Sequence, residues 1–252
     1  MATIRIATLN VHGRKGRWSL RRDLLLGQLR ATAPDVLALQ EAAMWPSQAR
    51  FLTRALNKTG PGVARYAAVT ARKRGWRGLT EGLAVVTRVP IEQTALLDLA
   101  GDARVAQRVT LVGPGRRAFD LYNVHLANRS FAGDLRLRQA RALLAWMAER
   151  PGIPAVVVGD FNAGPDSPVM REFAPTHVSA HAAVHGTEPP WTAPARPPSG
   201  PPGRVVDYVL VTAAVKVTDS RLAFHQQHGS DAALFASDHF GLVADLELTT
   251  TA

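Results

Sequence analysis

Six apolar runs in this chain each meet, at or near one end, a polar residue unsuited to a core. Ile4–Leu9 leads into Asn10, Val36–Gln40 into Glu41, Phe119–Val124 into His125, and Ala155–Gly159 into Asp160. Asp207 sits within Val205–Val211, and Asp238-His239 opens the last apolar run. Short β-branched runs bounded by turn residues read as buried strands. One polar residue at a strand end is usually a cap or a loop position, but six are hard to explain by turns. If these ends converge, they form a cleft with four carboxylates, one amide and two imidazoles. Hard oxygen donors of that kind suit Mg²⁺ or Mn²⁺. The chain has no cysteine, which excludes disulfides, thiolate metal sites and a Cys nucleophile.

Between these runs lie amphipathic stretches. Leu20, Leu24, Leu25 and Leu29 recur at helical spacing in 19–31, with Ser19 as the expected N-cap. Further helices are expected over 47–57, 134–149 and 167–173, and further strands near 66–71, 83–88, 94–99, 105–112, 215–222 and 241–248. The strands of 83–125 follow one another as hairpins would. Ten or eleven strands with three or four helices predict an α/β four-layer sandwich, two packed mixed β-sheets flanked by helices, in a single domain over 1–252. Residues 189–202 hold seven prolines and no plausible strand, which marks a long loop between two of the polar strand ends.

The 252 residues are 46% hydrophobic, enough for a large core, yet no run approaches a membrane span. Met1-Ala-Thr-Ile-Arg-Ile has no apolar leader core, so a cytoplasmic protein is expected, or a secreted one from which a leader has been removed. The formal net charge of +10 favours polyanions. Of the 30 cationic side chains, however, 26 are Arg and four are Lys, the mark of a GC-rich coding sequence, so position matters more than total.

Read in order, Leu9-Asn10-Val11, Leu39-Gln40-Glu41, Asn123-Val124-His125-Leu126, Gly159-Asp160-Phe161-Asn162, Val206-Asp207-Tyr208-Val209 and Ser237-Asp238-His239 resemble the motif set of the endonuclease/exonuclease/phosphatase superfamily. The resemblance spans nearly the whole chain. It implies a divalent-metal-dependent phosphodiester hydrolase working by metal-assisted in-line attack of water, with Mg²⁺ or Mn²⁺ as cofactor. Glu41 resembles the principal metal ligand, with Asn10 and Asp238 beside it. Asp160 and Asn162 resemble the pair that orients water and contacts phosphate, or holds a second metal. His239 is similar to the histidine set against the scissile phosphate, with Asp207 fixing its tautomer. His125 resembles a second catalytic histidine, Glu81 the carboxylate paired with it, and Asn128 a phosphate contact.

Two basic clusters flank these motifs. Arg14, Lys15, Arg17, Arg21 and Arg22 surround Trp18, and Arg72, Lys73, Arg74 and Arg77 surround Trp76. Arg and Trp together bind phosphates and stack on bases, so Arg14, Arg17, Arg72 and Arg74 are candidate contacts to a nucleic acid. A nuclease acting on DNA, and on RNA, is the first reading. Ala43 departs from the deoxyribonuclease branch, which carries Arg there, and the apurinic endonucleases carry Tyr where His125 stands. The second reading is therefore a phosphodiesterase or phosphatase for an anionic phospholipid or a small phosphoester, and the third a catalytically inactive phosphate-binding module. A monomer is expected. Trp191-Thr192 resembles an aromatic-Thr step placed near the site in many members, or serves as a loop anchor. Arg204 reads as a phosphate contact or a surface ion pair. His177, His181 and His185 recur every four residues, which would put them on one helix face, outward or around a metal.

Overall fold

The computed structural model describes residues 3–58, 65–197 and 203–249; the side chain of Arg77 and the segment 198–202 of the Pro-rich stretch lie outside the described residues. The strands are β1 (Ile4–Asn10), β2 (Val36–Ala43), β3 (Ala67–Arg72), β4 (Glu81–Thr87), β5 (Ile91–Asp98), β6 (Val105–Val112), β7 (Ala118–His125), β8 (Ala155–Asp160), β9 (Val178–Ser179), β10 (Asp207–Val211), β11 (Val215–Ala223) and β12 (Gly241–Leu248). The helices are α1 (Trp18–Thr32), α2 (Gln48–Leu56), α3 (Gly133–Ala148), α4 (Pro168–Phe173) and α5 (Ala180–His185). They build two six-stranded mixed sheets, ordered β11-β12-β1-β2-β4-β3 and β5-β6-β7-β8-β10-β9. β1 runs parallel to β2, and β7 to β8; the other pairs are antiparallel.

The four layers follow from the period of two along each strand. Ile4 and Ile6, Val36 and Ala38, Phe119 and Leu121, Val156 and Val158, and Val209 and Val211 face the other sheet and form the central core. Their alternates face outward. Leu9, Leu37 and Leu39 meet Leu25 and Leu29 of α1 and Leu52 of α2. Tyr122, Val157 and Leu210 meet Leu143 and Met147 of α3 and Phe173 of α4.

Several expectations change in detail. β4 and β5 follow each other in the chain but belong to different sheets, so only β5-β6-β7 forms a meander. Ser19 lies inside α1, whose N-cap position is Arg17 with no side-chain cap. Ser47 and Ser167 do cap α2 and α4, accepting from the Arg50 and Met170 backbone N–H groups. His181 and His185 share α5 with ring centroids 4.4 Å apart, but His177 precedes β9 and is buried against Phe173, so the three do not share a helix face. The Pro-rich stretch makes one antiparallel bridge, between Ala193 and Arg204.

Candidate active site

The same period of two builds the site. Continuing the inward face of each strand beyond its apolar residues leads in one step to Asp160 on β8 and Asp207 on β10, and in two, past Thr8 and Asn123, to Asn10 on β1 and His125 on β7. Glu81 continues inward-facing Leu83 and Val85 on β4. These polar side chains therefore sit on one end of the central core, between the sheets. Glu41 would alternate outward, because Val36, Ala38 and Gln40 take the inward face. The β2–β4 register shifts between Leu39 and Ala42, and Glu41 adopts a left-handed φ of 52°. Such a bulge re-aims a side chain at a local conformational cost.

Beneath the site, buried amides tie the sheets together. Gln40 donates from Nε2 to Thr8 Oγ1 (3.1 Å) and Asn123 Oδ1 (2.8 Å), and Asn123 Nδ2 reaches the carbonyls of Leu39 and Ala84. Gly159 has φ 138°, and a Cβ there would collide with the Val124 carbonyl oxygen, so only glycine permits this approach of β8 to β7. That approach sets Asp160 directly opposite His125.

Asp160 is the hub. Its Oδ2 accepts from Asn10 Nδ2 at 3.0 Å and lies 3.4 Å from His125 Nε2 and 4.0 Å from His239 Nε2. Its Oδ1 accepts from the Asn162 backbone N–H at 2.9 Å. Burial, and then the neighbouring Asp207 carboxylate, push Asp160 up to about 7, against the lowering effect of His239. The two imidazoles diverge. Burial drives His125 well below the ordinary imidazole value, and the charges of Arg104 and Lys73 add to it. Burial also lowers His239, but Asp207, hydrogen-bonded to its Nδ1 at 2.9 Å, together with Asp160 and Asp238, outweighs this and lifts it to about 10. At neutral pH His239 is a cation and His125 is neutral.

Lysines occupy the carboxylates on the other side. Lys15 Nζ lies 2.9 Å from Glu41 and 3.7 Å from Glu81, and Lys73 pairs with Glu81. Burial would raise Glu41, but the Lys15 hydrogen bond and charge hold it below its ordinary value. Glu81 and His125 are neighbours without the expected hydrogen bond: His125 Nδ1 is buried and has no partner. Asp238 pairs with His12. Burial would raise it, yet His12 and His239 hold it low.

Two trios offer ligand atoms within 4.8 Å of one another: Glu41, Glu81 and His125, and Asp160, Asp207 and His239. The first fits a divalent cation better. It combines two carboxylates that already attract ammonium groups with a neutral imidazole. In the second, the protonated His239 has no free lone pair, although Asp207 Oδ1 is buried without a partner. Asp238 belongs to neither trio. Asn10 accepts the His12 backbone N–H and donates to Asp160, and Asn162 donates from Nδ2 to the Leu126 carbonyl.

The candidate substrate contacts divide. Arg14 and Arg72 line one cleft; Arg17 instead pairs with Asp231, and Arg74 with Asp98. Asn128 and Arg204 are exposed. Trp191 packs at 6.2 Å from the Phe240 ring. Of the tryptophans within the two basic clusters, Trp76 is exposed, whereas Trp18 packs edge-on against Phe51. Arg21 is a buried scaffold whose guanidinium donates to the carbonyls of Val11, Gly13, Lys15 and Ala236, shaping the loop that presents His12 and Lys15.

Sequence reasoning missed His12, took Lys15 and Lys73 only as members of the basic clusters, and left Thr192 between a site step and a loop anchor. Thr192 Oγ1 accepts from the Val206 and Asp207 backbone N–H groups at 3.0 and 3.2 Å, fixing the start of β10. Two of the chain's four lysines stand on the site carboxylates, and a rare Lys in an Arg-rich chain is a readable sign.

The sequence profile of the Endonuclease/Exonuclease/phosphatase family matches residues 7–239. The chain belongs to that family. Its members act on phosphoester bonds, and the fold agrees. Nocturnin from Rattus norvegicus is 27% identical over 253 residues, covering 91% of this chain and 58% of its own length. Nocturnin from Homo sapiens is 26% identical, covering 92% and 59%. The chain thus spans less than three fifths of these curated relatives. Among solved structures, the human nocturnin catalytic domain with bound sulfate superposes at TM-score 0.80 and 24% identity, covering 98% of this chain and 94% of that one. TDP2 from D. rerio, complexed with single strand DNA product, superposes at 0.77 and 17%, covering 98% and 100%.

Proposed function

We propose that this chain is a divalent-metal-dependent phosphodiesterase that cleaves nucleic acid, DNA first and RNA also. The observation that carries the reading is the buried Asp160 carboxylate, raised to about 7, set 4.0 Å from the His239 imidazole that Asp207 holds cationic. Titratable groups pushed apart in this way divide acid from base work.

Glu41, with Glu81 and His125 beside it, would hold Mg²⁺ or Mn²⁺. That ion, when bound, supplies charge neutralisation for the phosphate. The protein's own part is as follows. Asp160, raised to about 7, accepts a proton from the attacking water near neutral pH. Asn10 holds Asp160 by its Oδ2, and the Asn162 backbone N–H holds its Oδ1. His239 is a cation facing the phosphate, and its Nε2–H proton passes to the leaving oxygen. The P–O bond to that oxygen breaks as the bond to water forms. Fixed charges in a water-poor site are worth more than in bulk water.

The nucleic-acid part of the reading is supported by the cationic cleft lined by Arg14 and Arg72, and by TDP2, a fold neighbour solved with single strand DNA product. A second reading has its own support. A pocket of about 570 Å³ is lined by Trp191, His225, Phe235 and Phe240, the last of these next in sequence to His239, and it suits the aromatic or acyl group of a smaller phosphoester. A panel of plasmid, single-stranded DNA, RNA, sphingomyelin vesicles and a generic bis-phosphodiester, each with Mg²⁺ or Mn²⁺, separates them. The nuclease reading requires the nucleic acids to be the preferred substrates, and it ends if only lipid or small phosphoesters are turned over.

A further inference from the structure

A cleft of about 740 Å³ lies outside the catalytic end itself, in a groove between α2 and the edge strand β3. Arg14, Arg50, Arg54, Lys58 and Arg72 line it together with Trp45, and no carboxylate does. Elsewhere on the surface many Arg side chains are paired, as in Arg5–Asp245, Arg88–Asp35, Arg141–Glu172 and Arg150–Asp120, and those without an ion pair among the described residues, such as Arg30, Arg117 and Arg138, do not share a common concavity with four other cations. None of the five groove cations has an ion-pair partner among the described residues, and Arg14 Nε is buried without a hydrogen-bond partner. Five uncompensated cations in one concavity make a site of strong positive potential.

The groove begins at the catalytic centre. Arg14 and Arg72 immediately precede Lys15 and Lys73, whose ammonium groups rest on Glu41 and Glu81. From there Arg50, Arg54 and Lys58 continue along α2 and just past its end. Arg50 and Arg54 are one helical turn apart, about 6 Å, and a helix of this length extends the track by about 14 Å. Trp45 is 85% exposed on its wall.

We infer that this groove is an anchoring site for the continuous phosphate backbone of a single-stranded nucleic acid, one part of which lies in the active site. The inference rests on the nuclease reading and goes beyond it by naming the strandedness of the substrate and where its remote part is held. The exposed indole argues for an unpaired strand: bases in a duplex are already stacked, whereas those of a single strand are free to stack on an aromatic side chain. The lining argues against a membrane. Interfacial binding of an amphipathic surface buries an apolar face in the headgroup boundary, and here one indole stands among cations.

The test compares binding of a dinucleotide and of an oligothymidylate of about 16 residues, a length within the site sizes of single-strand binders. The proteins are wild type, the triple variant Arg50→Glu/Arg54→Glu/Lys58→Glu, and Trp45→Ala. The charged positions are exposed, so the triple variant retains the fold, checked by its melting temperature. Wild type should bind the long strand more tightly than the dinucleotide, and the triple variant should lose that advantage. Its slope of log K against log salt should fall by roughly 0.7 for each phosphate no longer neutralised, about 2 in all. Trp45→Ala, which perturbs no charge, should weaken long-strand binding by roughly ten-fold. Hydrolysis of bis(p-nitrophenyl) phosphate, too small to reach α2, reports separately on the catalytic centre. If wild type cleaves the long strand and both variants bind and cleave it equally well, the groove inference is wrong while the nuclease reading stands. If wild type hydrolyses the small diester but neither binds nor cleaves any strand, both fail. Loss of binding to phosphatidylserine vesicles by the triple variant, with strand binding unchanged, makes the groove a membrane-docking face and overturns the inference.

Discussion

His239 Nδ1 lies 2.9 Å from Asp207 Oδ2, and this contact sets the protonation of the imidazole that faces Asp160. His239 is lifted to about 10, above the ordinary imidazole value, so its charged form prevails below that pH and is lost as pH rises through it. Asp160, raised to about 7, becomes a base as pH rises through 7. The rate should therefore rise near pH 7 and fall near pH 10. Asp207→Asn removes the main raising influence, so the alkaline limb should move to lower pH, and NMR titration of His239 should show its pKa falling. The stability linked to this group has the same sign: it is fully present below about 6.5 and lost through about pH 10. His239→Ala should lower turnover by about 10² to 10⁴-fold. An alkaline limb that stays in place in Asp207→Asn would remove Asp207 from this role.

Metal removal makes a second prediction. Glu41, Glu81 and His125 bring ligand atoms within 4.8 Å, and Glu41 is kept ionised by Lys15. Excess EDTA should abolish phosphodiester hydrolysis, and Mg²⁺ or Mn²⁺ should restore it. Glu41→Ala should weaken Mn²⁺ binding, measured by calorimetry, as well as activity. Full activity in EDTA would end the metal-dependent reading.

Thr192 acts at one remove from the chemistry. Its hydroxyl accepts two buried N–H groups at the start of β10, one of them from Asp207. Thr192→Val keeps the shape and leaves both donors unpaired, which should cost about 1–3 kcal/mol per group of stability at most. It should also lower kcat more than it raises KM, because Asp207 is no longer aimed at His239. Thr192→Ser should restore both. Equal kcat in all three proteins would reduce Thr192 to a fold residue.

Gly159→Ala tests the approach of β7 to β8. The new Cβ meets the Val124 carbonyl oxygen, backbone against backbone, at a φ of 138°. Overpacking of this kind costs typically about 1–3 kcal/mol, so the urea midpoint should drop. Activity should drop beyond what unfolding explains, since Asp160 and His125 are paired across this contact.

The converging strand ends were legible because period-two alternation is a local property. Asn10, His125, Asp160 and Asp207 each continue the inward parity of their own strand, so the sequence contained both their polarity and their direction. Glu41 breaks parity and is aimed by a bulge, which no alternation pattern announces. The assignment of β4 and β5 to different sheets was not legible, because adjacency in the chain does not say where a connection crosses the core. Nor were the ion pairs of Arg17 and Arg74: their partners Asp231 and Asp98 are distant in sequence, and a basic run looks alike whether neutralised or free. Arg21 stood in such a run and became a buried scaffold because the loop it holds has carbonyls to satisfy.

That division among the arginines makes the last prediction. Arg14 and Arg72 line the cleft without an ion-pair partner, while Arg17 and Arg74 are each held by an aspartate. An exposed ion pair contributes only about 0–1 kcal/mol, so breaking it changes stability little. A paired guanidinium is also less available to a phosphate than a free one. Arg14→Gln/Arg72→Gln should therefore weaken binding of single-stranded DNA and reduce the slope of log K against log salt by roughly 0.7 for each phosphate that is no longer neutralised. Arg17→Gln/Arg74→Gln should leave that slope within error of wild type. Cleavage of nucleic acid should follow the same order, since a strand held less firmly is presented less often to Asp160 and His239. Titrations at several salt concentrations check this directly: if the Arg17/Arg74 pair changes the slope as much as the Arg14/Arg72 pair does, the ion pairs do not decide which cations meet the substrate, and the basic clusters act as a diffuse field.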